Sequence, residues 1–533
     1  MRAALEHITG ALYVTDDDAA LARAARSTVP EGTRPALIVR PSTRDEVVAI
    51  VCAVAAQGGT VYPVSGGRNW GYSDACAPED GAVLVDLSRM SRIVEVNASL
   101  AYAVIEPGVT QGALAAHLRA HDVPLRMDAT GAGPDASICG NVLERGIGYG
   151  AYGDRGAHVG ALEVVLADGS VLETGVAAYG GARATHVRDA AIGPSLDGLF
   201  TQSGWGIVTR LTIWLQPEPR HTSYLFLELR EPRSIGRLLA ALRDLRLHGV
   251  LPGVVHVYNE MRLLGGVMRR PVMADDGTPL ARDVAMEAGY GALTERLLAR
   301  HRLPAWTGSA VITGASRAEV AAKRRAIKRR LSRLGVRTTV VSDSVVATGA
   351  RLRAMLPSWR LFDPFRATWD RMMLGVRLLR GESSVQSLYG AGWRARTSDA
   401  SGARDPIESG AGITWVAPLL PADAECANEV NEIARTVLHA HGFEHQVTFT
   451  LVTERAATAV VSICFDRADA IECARAAACH DALVRAFLDR GYVPYRGGHR
   501  AREMARAAAP VYWNALDRVR IAIDPDGVIS RGR

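Results

Sequence analysis

Two glycine-rich segments constrain this chain more than anything else in it. The first is Ser65-Gly66-Gly67-Arg68-Asn69-Trp70-Gly71-Tyr72, reached directly from the run Thr60-Val61-Tyr62-Pro63-Val64. The second is Gly146-Ile147-Gly148-Tyr149-Gly150-Ala151-Tyr152-Gly153-Asp154. A strand that ends in consecutive glycines lets backbone N–H groups turn toward an anion and approach it closely, because no Cβ blocks them. A lone loop of this kind is commonly a surface turn. Two in one chain suggest a single extended, phosphate-bearing ligand touched twice.

At 533 residues the chain exceeds a single core and divides into two or three domains. Its 48% hydrophobic and 22% charged residues are ordinary for a globular protein. Sixty-two basic against 56 acidic residues leave +6, too thinly spread to imply nucleic acid as a partner. Seven cysteines show no tight metal spacing, so no metal site and reduced thiols are expected. The N-terminus lacks the apolar core of a signal peptide, and the apolar run at 47–56 is far short of the roughly 20 residues that span a bilayer. The expectation is a soluble cytoplasmic protein with no membrane partner.

Residues 13–29 read as a helix with Thr15-Asp16-Asp17-Asp18 as cap and first turn. A strand at 35–39, a capping box at Ser42-Thr43-Arg44-Asp45-Glu46 and a buried helix at 47–57 follow. Short β-rich runs occupy 81–87, 93–96 and 102–105, a helix 111–121, and a hairpin 162–173 around Asp168-Gly169. Beyond about residue 220 the pattern changes to long helices between strands at 309–313, 338–341, 412–416 and 458–465. This reads as an antiparallel sheet covered by helices.

Three signals are set aside. Gly148 to Gly153 formally match GxGxxG, but no strand precedes them and no acidic residue lies in a βαβ context. The basic run at 323–330 shares a helical stripe with Val320, Ile327, Leu331 and Leu334, so it reads as a solvated helix face. His117 and His121, and the set His439, His441 and His445, bring no carboxylate or thiol at ligand spacing.

The first loop resembles the pyrophosphate loop of the FAD flavoproteins grouped with vanillyl-alcohol oxidase and p-cresol methylhydroxylase. The likeness continues through Glu106-Pro107-Gly108-Val109-Thr110, Cys139-Gly140-Asn141-Val142-Leu143-Glu144-Arg145-Gly146, Gly193-Pro194-Ser195-Leu196-Asp197 and Gly206-Ile207-Val208-Thr209. It returns at Tyr495-Arg496 and the tail. The resemblance implies an α+β protein with an FAD-binding domain of that type in two α/β lobes (1–219), a substrate or cap domain (220–489) and a C-terminal return (490–533). It implies FAD contacts from Ser65, Gly66, Gly67, Arg68, Asn69, Gly71, Tyr72, Pro134, Ser137, Gly140, Asn141, Gly148, Tyr149, Gly206 and Ile207.

In that family a hydride leaves the benzylic carbon of a para-substituted phenol and a quinone methide forms. Tyr495-Arg496 match the pair that holds the phenolate, and Asp154 matches the acid that assists hydride transfer. Where simple phenol oxidases carry a second tyrosine after Glu106-Pro107-Gly108-Val109-Thr110, this chain has Gln111. Gly412 and Arg68 stand where members of the wider superfamily carry flavin-linking histidines, so FAD is expected to be non-covalent. The implied partners are a phenolic small molecule, oxygen or an electron-transfer protein as acceptor, and a second copy in a homodimer. A tailoring enzyme similar to the chondrochloren-type oxidative decarboxylases, acting on a tyrosine-derived precursor, fits the Gln111 departure. A flavin oxidase of sugars or other alcohols and a non-catalytic FAD-binding protein remain alternatives.

Overall fold

The computed structural model describes residues 1–267, 295, 298–299, 302–355, 363–395 and 405–530, so parts of the expected 220–489 cap lie outside the described residues. The first lobe is a four-stranded sheet in the order Val14–Thr15, Leu37–Val39, Val83–Asp86, Val61–Val64. Its last three strands run parallel. The inner strands Leu37–Val39 and Val83–Asp86 are buried almost throughout, which matches their apolar content. The helix Arg44–Ala55 closes one side, capped by Thr43, whose hydroxyl accepts from Glu46 N. Val47, Ile50, Val51 and Val54 pack with Val39, Val61 and Val85 into one core.

The second lobe is antiparallel, in the order Ile93–Asn97, Tyr102–Ile105, Ile207–Trp214, Val159–Val165, Val171–Glu173. The helices Gln111–Ala120 and Ile138–Leu143 fill its concave side with Leu114, Leu118, Ile138 and Val142.

The third unit is an eight-stranded antiparallel sheet, built on the strands His221–Leu229, Val255–Asn259, Trp306–Gly314, Arg337–Ser342, Ala411–Val416, Gln446–Leu451 and Ala456–Asp466, with Leu419–Pro421 beside the last. Helices Ile235–Leu247, Arg317–Ser332, Ala424–Ala440 and Ala470–Asp489 bury their apolar stripes against it. Val320, Ile327 and Leu331 are the buried side of the basic helix, as its periodicity predicts.

The chain then crosses back. Tyr495 N donates to Ala417 O at 3.1 Å and Leu419 N to Val493 O at 2.9 Å, so the cap holds this segment as it leaves. Beyond the helices His499–Ala508 and Pro510–Ile523, Val61 N donates to Val528 O and Ser530 N to Val61 O, both at 2.8 Å. Val528 and Ile529 enter the first-lobe core.

One expected element is shorter than its pattern. The helix of residues 13–29 spans only Asp18–Ala24, because Asp17 rather than Thr15 caps it by accepting from Ala20 N. Its far end is drawn away at Ser27 and Thr28, whose hydroxyls both donate to buried Asp74. Among the described residues no helix is long and apolar enough to cross a membrane, and no group of side chains is arranged to hold a metal ion.

Candidate active site

Two cavities meet where the three units converge. The smaller, about 130 Å³, is walled by Ser65, Gly66, Gly67, Arg68, Asn69, Ser137, Gly140, Glu144, Gln202 and Gly206. The larger, about 320 Å³, lies under the cap sheet. Ala132, Asn141 and Arg496 line both, so the two form one tract.

The smaller cavity is a backbone cradle. Ser137 caps the helix Ile138–Leu143 by accepting from Gly140 N at 3.0 Å, and donates to Pro107 O at 2.6 Å. A Cβ at Gly140 would lie 2.6 Å from Ser65 Oγ, so the helix start and the first loop pack face to face. Asn141 Oδ1 is buried with no protein partner. Exposed amides, Arg68 and an orphaned amide oxygen suit a dinucleotide that carries a pyrophosphate.

Not every expected contact faces this tract. Gly71 (φ +77°) abuts the cap instead, where a Cβ would meet the Trp415 ring at 3.0 Å. Ile207 points its side chain into the first-lobe core. Pro134 turns its carbonyl to Gly112 N. Gly148 donates to Gly153 O at 2.7 Å and closes the second loop on itself. That loop is also bridged between Ile147 and Asp154. Its Tyr149 does line the larger cavity.

The tyrosine-arginine pair stands at the junction. Arg496 donates to Asn69 Oδ1, lies 3.6 Å from Glu144, and lays its guanidinium on the Tyr72 ring. The Tyr495 hydroxyl lies close enough to Tyr72 and Arg496 for both to act on its proton. Burial pushes the proton affinity of Tyr495 up and the Arg496 charge opposes it. Tyr72 is held strongly protonated, first by burial.

Gln111 corrects an expectation. It is buried away from the larger cavity, donating to Gly133 O at 2.8 Å and accepting from Thr130 N and Arg155 Nη2, both at 2.8 Å. Tyr72, expected at the pyrophosphate, lies instead beside Tyr495 and under the Arg496 guanidinium. Asp154 is partly buried at the end of the second loop, with its carbonyl bonded to His158 at 2.7 Å. Its side chain is not part of the larger cavity's wall.

Sequence reasoning missed the cap's share. His256 reaches Gly148 O through Nε2 at 3.2 Å and Thr450 Oγ1 through Nδ1 at 3.0 Å, and its ring stacks on Tyr149 at 4.1 Å. Burial lowers its pKa to about 4, so it is neutral at pH 7. Tyr258 meets the Tyr149 hydroxyl at 3.2 Å. The only trace in sequence is the alternation His256-Val257-Tyr258, with the two polar residues on one face of a strand.

Comparison with known proteins agrees with this geometry. The family model described as an FAD binding domain matches residues 35–175. The chain is 34% identical to the 1'-carboxy-chondrochloren decarboxylase of Chondromyces crocatus over 100% of its own length and 96% of that protein's. It belongs to the p-cresol methylhydroxylase family of FAD flavoproteins. The 4-cresol dehydrogenase flavoprotein subunit of Pseudomonas putida is 26% identical over 94% of this chain and 87% of that one. The fold matches a p-cresol methylhydroxylase structure with substrate bound (TM-score 0.84, 24% identity, 100% and 95% coverage). It also matches the 4-ethylphenol oxidase of Gulosibacter chungangensis (TM-score 0.85, 23% identity, 99% and 96% coverage). The protein is therefore an FAD-dependent oxidoreductase, and the cradle of the smaller cavity is where its residues would hold the cofactor.

Proposed function

We propose that the protein removes a hydride from the benzylic carbon of a para-hydroxyphenyl substrate held in the larger cavity. The observation that carries this reading is the Tyr72, Tyr495 and Arg496 cluster at the junction of the two cavities. A free phenol has a pKa of about 10, and lowering it by three units requires about 4 kcal/mol. One guanidinium and the Tyr495 hydroxyl in a largely dry pocket are sufficient for that. Bound FAD supplies the hydride acceptor.

The chain's own residues set the geometry. Trp70, Phe226, Leu374, Leu378, Leu388 and Trp415 give the cavity an apolar wall that fits an aromatic ring and disfavours a sugar. Asp154 stands at the end of the second loop outside the wall of this cavity, so no proton is routed through it here. Where the side chain carries a carboxylate on the carbon next to the benzylic one, that C–C bond breaks. Its electron pair forms the alkene, the ring returns to phenolate and carbon dioxide leaves. Similarity to a decarboxylase over the whole chain supports this fate.

Anaerobic titration with 4-alkylphenols, N-acyltyrosines and alditols tests the reading. Bleaching of the flavin band by the phenols alone is the expected result; bleaching by alditols alone would replace it with an alcohol oxidase.

A further inference from the structure

The larger cavity has two charged residues in its described wall, and both are arginines: Arg496 and Arg262. No aspartate, glutamate or lysine is among its lining residues. Elsewhere in this region arginines are matched by carboxylates. Arg380 meets Asp343 at 2.6 Å, Arg394 meets Glu444 and Glu472 at 3.0 Å each, and Arg496 has Glu144. Arg262 pairs with no carboxylate among the described residues. Among the described residues, then, the partly buried Arg262 guanidinium faces a largely apolar wall, where a ligand's anion would complete it.

Arg262 is also held in place. It lies in the first turn of the helix Glu260–Val267, where its backbone N–H donates to Asn259 Oδ1 at 3.0 Å. Its guanidinium lies over Gly390, where a Cβ would come within 2.7 Å of Nη1. Tyr149 and Tyr258 line the same cavity, and the Arg262 charge is felt at both hydroxyls. Burial keeps both phenols protonated, so the pair can offer a hydrogen as well as accept one.

We infer that Arg262, with Tyr258 beside it, seats a carboxylate carried on the side chain of the para-hydroxyphenyl substrate. The inference rests on the phenol reading above: Arg496 answers the phenolate and Arg262 a second, separate negative charge. A planar carboxylate matches one guanidinium fork. A phosphate would call for more than one cation. The cavity thus selects a doubly anionic substrate over a neutral alkylphenol.

The test measures binding of N-acetyltyrosine, N-acetyltyrosinamide and N-acetyltyramine to the holoenzyme by calorimetry. The expected result is a preference of at least about tenfold for the carboxylate over both neutral analogues, the size of one charge-assisted pair. Arg262→Gln should collapse that ratio to near one, and Arg262→Lys should retain part of it. Equal binding of the three ligands by the unaltered protein overturns the inference without recourse to any variant. So does a preference that survives in Arg262→Gln. Anaerobic bleaching by 4-ethylphenol reports separately on the phenol reading. Bleaching without any carboxylate preference removes the Arg262 seat alone, whereas no bleaching by any phenol removes the oxidation reading.

Discussion

The guanidinium carbon of Arg496 lies 4.3 Å from the centre of the Tyr72 ring. The contact joins the start of the C-terminal return to the first glycine loop, and it holds the charge against the Tyr495 hydroxyl. Removing the charge should raise the pKa of a bound phenol. Arg496→Gln is expected to lower kcat/KM for 4-alkylphenols about a hundredfold or more at pH 7. Its rate should recover as pH rises toward the free phenol's pKa, because the phenolate then forms without help. Tyr72→Phe removes one hydroxyl and should cost about tenfold. The pH profile of kcat/KM checks both; a purely structural Arg496 would lower the rate without shifting the profile.

Gln111 ties the two halves of the second lobe to buried Arg155. Gln111→Leu would leave the Thr130 amide and the Gly133 carbonyl without their partner and leave Arg155 Nη2 with Asp128 O alone. That should cost about 2–4 kcal/mol of stability. Gln111→Glu still accepts from Thr130 and Arg155 and should cost less. Urea-unfolding midpoints decide: equal midpoints for the two variants would show that the acceptor contacts carry no weight.

What was legible in the sequence was local. The Thr43 cap and the Asp168-Gly169 hairpin follow from backbone requirements within a few residues and are found where their patterns predict. Both Tyr72 and Gln111 follow a recognisable motif, and the motifs alone do not say which of them lies beside Tyr495. Only the return of Arg496 across the whole chain shows that Tyr72, rather than Gln111, lies beside the Tyr495-Arg496 pair. His256 and Tyr258 belong to an antiparallel sheet whose strands pair out of sequence order, and Arg262 to the helix that follows their strand. No local pattern could place them beside Tyr149. The shortened helix at Asp18–Ala24 has the same origin, since Asp74, far along the chain, draws Ser27 and Thr28 out of it.

His256 makes stability depend on pH. An unfolded histidine titrates near pH 6.5, while the native one stays neutral down to about 4. Between those values the unfolded state binds more protons, so stability rises with pH from about 4 to 6.5 and is level above. The contribution lost on acidification is at most about 3 kcal/mol. His445, pushed down to about 3 by burial, acts in the same sense. Unfolding midpoints measured across that range should show a smaller slope in His256→Asn; an unchanged slope would assign the acid sensitivity elsewhere.

The flavin should come free on denaturation. At Gly412 a Cβ would meet the Phe465 ring at 2.4 Å, so no linking side chain can replace glycine there without repacking. Acid precipitation is expected to leave the yellow colour in the supernatant; flavin retained on the pellet would mean a covalent link at another residue.

The phenol-oxidation reading is tested most directly by 4-ethylphenol carrying deuterium at the benzylic carbon, mixed anaerobically with the holoenzyme. Bleaching of the flavin band by the unlabelled phenol, slowed several-fold by the label, is the predicted result. Absence of bleaching by either phenol would contradict hydride transfer from a benzylic carbon and leave the Tyr72, Tyr495 and Arg496 cluster structural.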